Sequence, residues 1–160
     1  MSITTATELW RMSATELAEA IRSRQISSQE VIEAHLQRIE AVNGTINAVV
    51  MVMAEQALKA AKTADRAVAD GADLGPFHGV PFTVKENIDV AATPTTQGFK
   101  ALANAYPSRD APVVERLKAS GGDPDWSHKP SQRRHALALR ERAVGSNCEP
   151  VGQLSDSRRV

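Results

Sequence analysis

The chain has 160 residues, the length of one ordinary domain, and its 19 Lys plus Arg balance 19 Asp plus Glu. A formal net charge of zero argues against a nucleic-acid-binding protein, whose surface is normally basic. Its hydrophobic share of 42% is typical of a globular domain, and no apolar run is long enough to span a bilayer. The single cysteine, Cys148, excludes an internal disulfide and a multi-cysteine metal site, so we expect a cytoplasmic protein.

Two helices with matching start signals are predicted near the N-terminus. Residues 13–16 read Ser-Ala-Thr-Glu and residues 27–30 read Ser-Ser-Gln-Glu, and both have the spacing of a capping box. Apolar residues then recur at helical intervals after each box. The first helix is predicted to run to Arg24, and the second is predicted to end at the Asn-Gly pair at 43–44. His35, on the second helix, is interpreted as a structural histidine.

Three further elements are predicted before residue 86. Residues 45–51 are rich in β-branched side chains and favour a short strand. Residues 54–69 form an alanine-rich pattern with one apolar side, and Gly71 ends this helix. The apolar run at 80–84 is too short for a helix and contains Pro81 near its start, so it predicts a strand that is entered through a rigid turn.

Lys85 directly follows that strand and has two interpretations. It marks either the exit of the strand to solvent or a lysine whose stem is buried. Burial disfavours the charged form of an amine, and a neutral amine acts as a base toward a hydroxyl nucleophile. The pattern alone leaves both interpretations open.

Residues 75–87 read Gly-Pro-Phe-His-Gly-Val-Pro-Phe-Thr-Val-Lys-Glu-Asn and resemble the lysine motif of the amidase signature hydrolases. The resemblance continues through residues 88–90, 95–98 and 110–121, reaches back to 20–28, and covers about residues 9–122. The sequence differs from the family pattern at three positions, and the lysine itself is retained. Ala92 occupies a position where the family often has Gly, Phe99 one where Ser is common, and Glu86 one where Asp is more frequent.

The resemblance implies an α/β fold, a mixed sheet covered by helices on both faces, of which this chain supplies an N-terminal part. Strands taken from such a sheet would have unpaired edges and one uncovered face. It also implies an amidase that hydrolyses a small carboxamide through a Ser–cis-Ser–Lys triad, with Lys85 as the catalytic base. Neither a metal nor an organic cofactor is implied, and no nucleic-acid or membrane partner is expected.

The two serines of that triad have no counterpart in the sequence. The family carries them on a Gly-Gly-Ser-Ser-Gly-Gly stretch, which is absent here, so the chain is expected to be inactive alone. We therefore divide the chain into residues 1–122, the amidase-like part, and residues 123–160, a polar, Arg-rich tail. With one choice of codons, 123–130 read one base out of register give Ile-Pro-Ile-Gly-His-Thr-Asn-Leu, which is family-like; the Gly obtained from Trp126 does not depend on that choice. The tail is accordingly expected to be out of frame and disordered, and Arg133, Arg134, Arg140 and Arg142 with residues 136–139 could form a short basic helix.

Two alternatives to an amidase fragment stay open at the level of sequence. One is a relative of the amidotransferase subunits that release ammonia from glutamine for charged tRNA, which share the lysine motif. The other is non-enzymatic, either a helical interaction module or an inert pseudogene product. Assays on simple amides, and a search for a co-purifying partner subunit, distinguish among these classes.

Overall fold

A computed structural model describes residues 6–121 and 138–141 of the chain. Short 3-10 helices lie at Ala6–Arg11 and Lys100–Leu102. The remaining elements are the helices α1 (Ala14–Arg22), α2 (Ser28–Ile46), α3 (Ala54–Ala69) and α4 (Pro112–Ala119), and the strands β1 (Val49–Met51), β2 (Phe82–Lys85) and β3 (Ala138–Glu141). The predictions for Gly122, Cys148 and most of the tail lie outside the described residues.

Both predicted capping boxes are present at the starts of α1 and α2. The Ser13 hydroxyl accepts the N–H of Glu16 at 3.3 Å, and the Glu16 carboxylate accepts the N–H of Ser13 at 2.8 Å. Ser27 and Glu30 make the same pair of bonds at 3.1 and 2.8 Å. These bonds satisfy backbone donors that the first turn of a helix leaves unpaired, which is why both helices begin where the sequence predicts.

The predicted end of α2 at 43–44 is wrong, because the helix continues through the Asn-Gly pair to Ile46. Asn47 ends it instead, in the left-handed conformation with φ +46°. The Asn43 side chain has a different role: it accepts the N–H of Val49 at 2.9 Å and donates to the carbonyl of Val49 at 2.8 Å. Asn43 thereby fixes the start of β1, which has three residues and is shorter than predicted.

The three strands form a mixed sheet in the order β1-β3-β2, which confirms the predicted fold class. β3 pairs antiparallel with β1 and parallel with β2, with Val84 opposite Arg140 and Lys85 opposite Glu141. The basic helix expected between Arg133 and Arg142 is wrong for Ala138–Glu141, because these residues form β3. Over so short a segment, a few apolar residues suit a strand as well as a helix.

Three apolar clusters hold these elements together. The first joins Leu9, α1 and α2, the second lies between α2 and α3, and the third joins β2 to α4. Alanines dominate the second cluster, where Ala57, Ala60 and Ala61 pack on Ile32, so α2 and α3 approach closely. None of the helices within residues 6–121 combines the length and the apolar character needed to cross a membrane.

Substitution of Ser27 by Ala is expected to remove one capping box and to change the acid response of the fold. The hydrogen bonds from Ser27 lower the pKa of Glu30 below its ordinary value. A lowered pKa contributes stability above the ordinary pKa, and this contribution is lost as the pH falls. We expect Ser27→Ala to cost about 1 kcal/mol of unfolding free energy at neutral pH, and less in acid.

Urea unfolding at neutral and acidic pH measures this difference. Ser120→Ala is the control, since the Ser120 hydroxyl donates to the carbonyl of Leu117 and forms no capping box. A Ser27→Ala penalty that stayed constant across the pH range would contradict the assignment.

Candidate active site

The chain enters β2 through a turn that only glycine fits well. Gly79 has φ +73°, and a Cβ atom there would lie 3.0 Å from the buried side chain of Ser28. The Ser28 hydroxyl donates to the carbonyl of Gly79 at 2.7 Å. The start of β2 is therefore anchored to the first turn of α2.

Lys85 is the last residue of β2, which confirms its predicted place at the end of a strand. Val84 is buried against Val90 and Val114, and the side chain of Lys85 is exposed. This alternation is the normal result of successive side chains pointing to opposite faces of a strand. The functional interpretation expected the stem of Lys85 to be buried, and within the described part of the chain it is exposed. The catalytic role of Lys85 stays a prediction.

Glu86 follows Lys85 and fastens the next loop to the end of the strand. Its side chain is buried, with 9% of its surface exposed. Its Oε1 atom accepts the N–H of Thr96 at 2.7 Å, the N–H of Gln97 at 3.0 Å and the hydroxyl of Thr96. Hydrogen bonds to a carboxylate are stronger than bonds between neutral groups. Glu86 therefore determines where the loop at 95–98 lies relative to Lys85.

The backbone conformation at Ala92 favours the glycine of the family motif over the alanine of this chain. Ala92 adopts φ +62°, a left-handed conformation that glycine adopts at less cost than alanine. A glycine at this position, which the family often has, is therefore the better fit to the turn. Gln97 and Gly98 also have positive φ values, of 50° and 79°, within the loop that Glu86 holds.

His78 is a buried residue of this region that the sequence reasoning did not single out. It is 4% exposed, and its Nε2 and Nδ1 atoms lie within hydrogen-bond distance of the carbonyl oxygens of Ala64 and Gly121. The ring thus bridges α3 and the residues after α4, beneath the turn that leads into β2. The sequence signal that could have identified His78 is its position between Phe77 and Gly79, in a segment rich in Gly and Pro.

His35 lies on α2, as predicted, and takes part in no cluster of candidate site residues. It is half-buried, and its Nδ1 atom lies 2.8 Å from the carbonyl oxygen of Val31, one helical turn earlier. A local contact of this kind is what a structural histidine is expected to make.

Within residues 6–121, no group of three or more His, Cys, Asp or Glu side chains is placed to hold a metal ion. The serines, histidines and cysteine of the tail that the sequence does not favour as catalytic or metal-binding residues lie outside the described residues. They are Ser127, His128, Ser131, His135, Ser146, Cys148, Ser155 and Ser157. Lys85 is therefore the one sequence-predicted site residue whose surroundings the structure describes.

The described region thus contains an exposed lysine at the end of a strand, followed by a buried carboxylate that holds the next loop. Comparison with known proteins gives the family. The sequence model of the family described as Amidase matches residues 30–124, more than half of the chain. The chain therefore belongs to the amidase family, which confirms the resemblance.

Relatives include an indoleacetamide hydrolase of Bradyrhizobium diazoefficiens, 48% identical over 113 residues, which are 71% of this chain and 22% of the hydrolase. A glutamyl-tRNA(Gln) amidotransferase component from Carboxydothermus hydrogenoformans is 45% identical over 114 residues, 71% of this chain and 24% of that protein. The crystal structure of a peptide amidase from Stenotrophomonas maltophilia superimposes with a TM-score of 0.69 at 29% identity, over 84% of this chain and 25% of that enzyme. The chain spans about a quarter of the length of these relatives.

Replacement of Glu86 by Gln is expected to loosen the loop at 95–98 without unfolding the chain. The neutral amide accepts weaker hydrogen bonds than a carboxylate, by about 1 kcal/mol. Amide hydrogen exchange at Thr96 and Gln97 should therefore accelerate several-fold. Glu55→Gln, at an exposed position in the first turn of α3, is the control. Unchanged exchange at Thr96 and Gln97 in Glu86→Gln would show that the carboxylate does not hold the loop.

Proposed function

We propose that Lys85 is the base of a Ser–Ser–Lys relay that hydrolyses a carboxamide bond, and that this segment contributes only the base. The single observation that carries the proposal is the position of Lys85 at the end of β2, within the part of the chain that the amidase family matches. The names of the relatives, an indoleacetamide hydrolase and an acylamidase, support a small amide as the substrate.

In the proposed reaction the neutral Lys85 amine removes a proton from a bridging serine, which in turn removes one from a nucleophilic serine. The nucleophile forms a bond to the amide carbon, and backbone N–H groups stabilise the negative charge on the carbonyl oxygen. The C–N bond then breaks, ammonia or an amine leaves with a proton, and water hydrolyses the acyl-serine ester. Both serines belong to a part of the domain that this sequence does not contain.

Exposure of Lys85 is consistent with a base that works only when the rest of the domain covers it. Water favours the charged ammonium form, whereas removal from water favours the neutral amine that a base requires. The 160-residue chain alone is therefore proposed to be inactive. The single cysteine supports a cytoplasmic location. The hypothesis that residues 123–160 are out of frame stays a prediction, which the nucleotide sequence tests.

The second candidate is the N-terminal part of an amidotransferase component. The amidotransferase relative is 45% identical to this chain, close to the 48% of the hydrolase. In this case the substrate amide is that of glutamine, and partner subunits are expected. The chemistry of Lys85 is the same, so the two candidates differ in the substrate and in the partners.

A chimera tests the role of Lys85. Residues 9–121 would replace the matched segment of the Bradyrhizobium hydrolase, and hydrolysis of indoleacetamide would be measured. We expect the chimera to be active and Lys85→Ala within it to lower kcat by about 10²–10⁴-fold, the usual effect of removing a general base. Lys62→Ala, at an exposed position of α3, is the matched control.

Two results would contradict the proposal. A chimera that kept its kcat after Lys85→Ala would show that the amine is not the base. Turnover of simple amides by the 160-residue chain alone would show that the reaction does not need the missing serines.

A further inference from the structure

His78 is a buried histidine with a backbone carbonyl oxygen at each of its two ring nitrogens. Only 4% of the residue is exposed. Its Nε2 atom lies 2.9 Å from the carbonyl oxygen of Ala64 in α3, and its Nδ1 atom contacts the carbonyl oxygen of Gly121, beyond the end of α4. Neither contact involves Lys85, so the ring has a role that is separate from the proposed reaction.

The two contacts together determine how many hydrogens the ring carries. A carbonyl oxygen can only accept a hydrogen bond, so a ring nitrogen that faces one has to donate. A neutral imidazole has one N–H group and one bare nitrogen, and it would therefore point a lone pair at one of the two carbonyl oxygens. An unmade hydrogen bond is costly in a buried position. Only the imidazolium form donates from both nitrogens.

We propose that His78 is an imidazolium in the folded chain and acts as a proton-dependent latch between α3 and the residue Gly121. When the ring loses a proton, one of the two hydrogen bonds is lost. The bond that stays is weaker, because a charged donor forms stronger hydrogen bonds than a neutral one. The latch therefore holds at low pH and loosens as the pH rises. It is independent of whether Lys85 is a catalytic base.

The ionisable side chains that the surrounding helices contribute to this region are bound to other groups. Asp65 on α3 accepts two backbone N–H groups at the start of α2. Arg22 on α1 donates to the carbonyl of Gly75 at 3.1 Å, and Lys118 on α4 pairs with Asp110 at 2.6 Å. Within the described part of the chain, the hydrogen-bond partners of the ring are thus the two carbonyl groups.

NMR of isotope-labelled ring nitrogens in the 160-residue chain tests the proposal. His35 is the internal control, because its Nδ1 atom has one carbonyl partner, that of Val31 at 2.8 Å, which a neutral ring satisfies with a single N–H group. An ordinary imidazole is largely neutral at neutral pH. At that pH we expect both ring nitrogens of His78 to carry hydrogen and one nitrogen of His35 to be bare. A bare nitrogen on His78 would overturn the proposal.

Hydrogen exchange shows whether the proton also holds the backbone. The N–H of Phe77 donates to the carbonyl of Ser120 at 3.3 Å, next to the latch, so its protection against exchange reports on the latch. We expect this protection to fall several-fold when His78 loses its proton. The protection should not depend on pH in His78→Gln, whose amide does not titrate, whereas His35→Gln should keep the dependence.

The same pH dependence in His78→Gln and in the unaltered chain would overturn the proposal. If His78→Gln fails to fold, the ring spectrum of the unaltered chain still decides, since it requires no substitution.

Discussion

The buried carboxylate of Glu86 accepts the N–H groups of Thr96 and Gln97 and so joins the end of β2 to the loop that follows it. Lys85 lies immediately before this contact, and Val84 before it is buried against α4. A side chain placed between a buried valine and a hydrogen-bonded carboxylate has its backbone fixed on both sides. The backbone of Lys85 is therefore held at a defined place, while its side chain is exposed.

The helices hold the start of β2 in place through contacts that do not involve Lys85 itself. Ser28, buried in the first turn of α2, binds the carbonyl of Gly79 and fixes the entry to β2. His78 bridges the backbone of α3 and the residues after α4. The α-helical part of the chain thus acts as a support for one short strand. The same contacts explain how a chain that spans about a quarter of its relatives holds β2 in place while one face of the strand is exposed.

Local signals predicted the elements that local interactions determine. The two capping boxes and the alanine-rich pattern of α3 each depend on residues within a few positions of one another, and all three were located correctly. The extent of α2 was not, because Asn43 binds Val49 across a turn that sequence spacing does not reveal. The contacts of His78 and Glu86 span 10 to 43 positions along the chain, so their partners could not be read from the pattern.

The resemblance supplied what neither composition nor periodicity contained, namely the hypothesis that Lys85 is a catalytic base. The residue pattern alone is compatible with a solvent-facing lysine and with a catalytic base. In the described structure the Lys85 side chain is exposed, which agrees with the first interpretation. The two descriptions are compatible if the rest of the domain covers the amine. The central claim is therefore about a proton: Lys85 acts by accepting one, not by carrying a charge.

Replacement of Lys85 by Arg in the chimeric hydrolase tests that claim most directly. Arginine keeps the positive charge and much of the length of lysine, but it does not give up its proton in proteins. The account predicts that kcat for Lys85→Arg is as low as that for Lys85→Ala. A Lys85→Arg chimera that retained most of the kcat of its parent would show that the site needs a cation rather than a base.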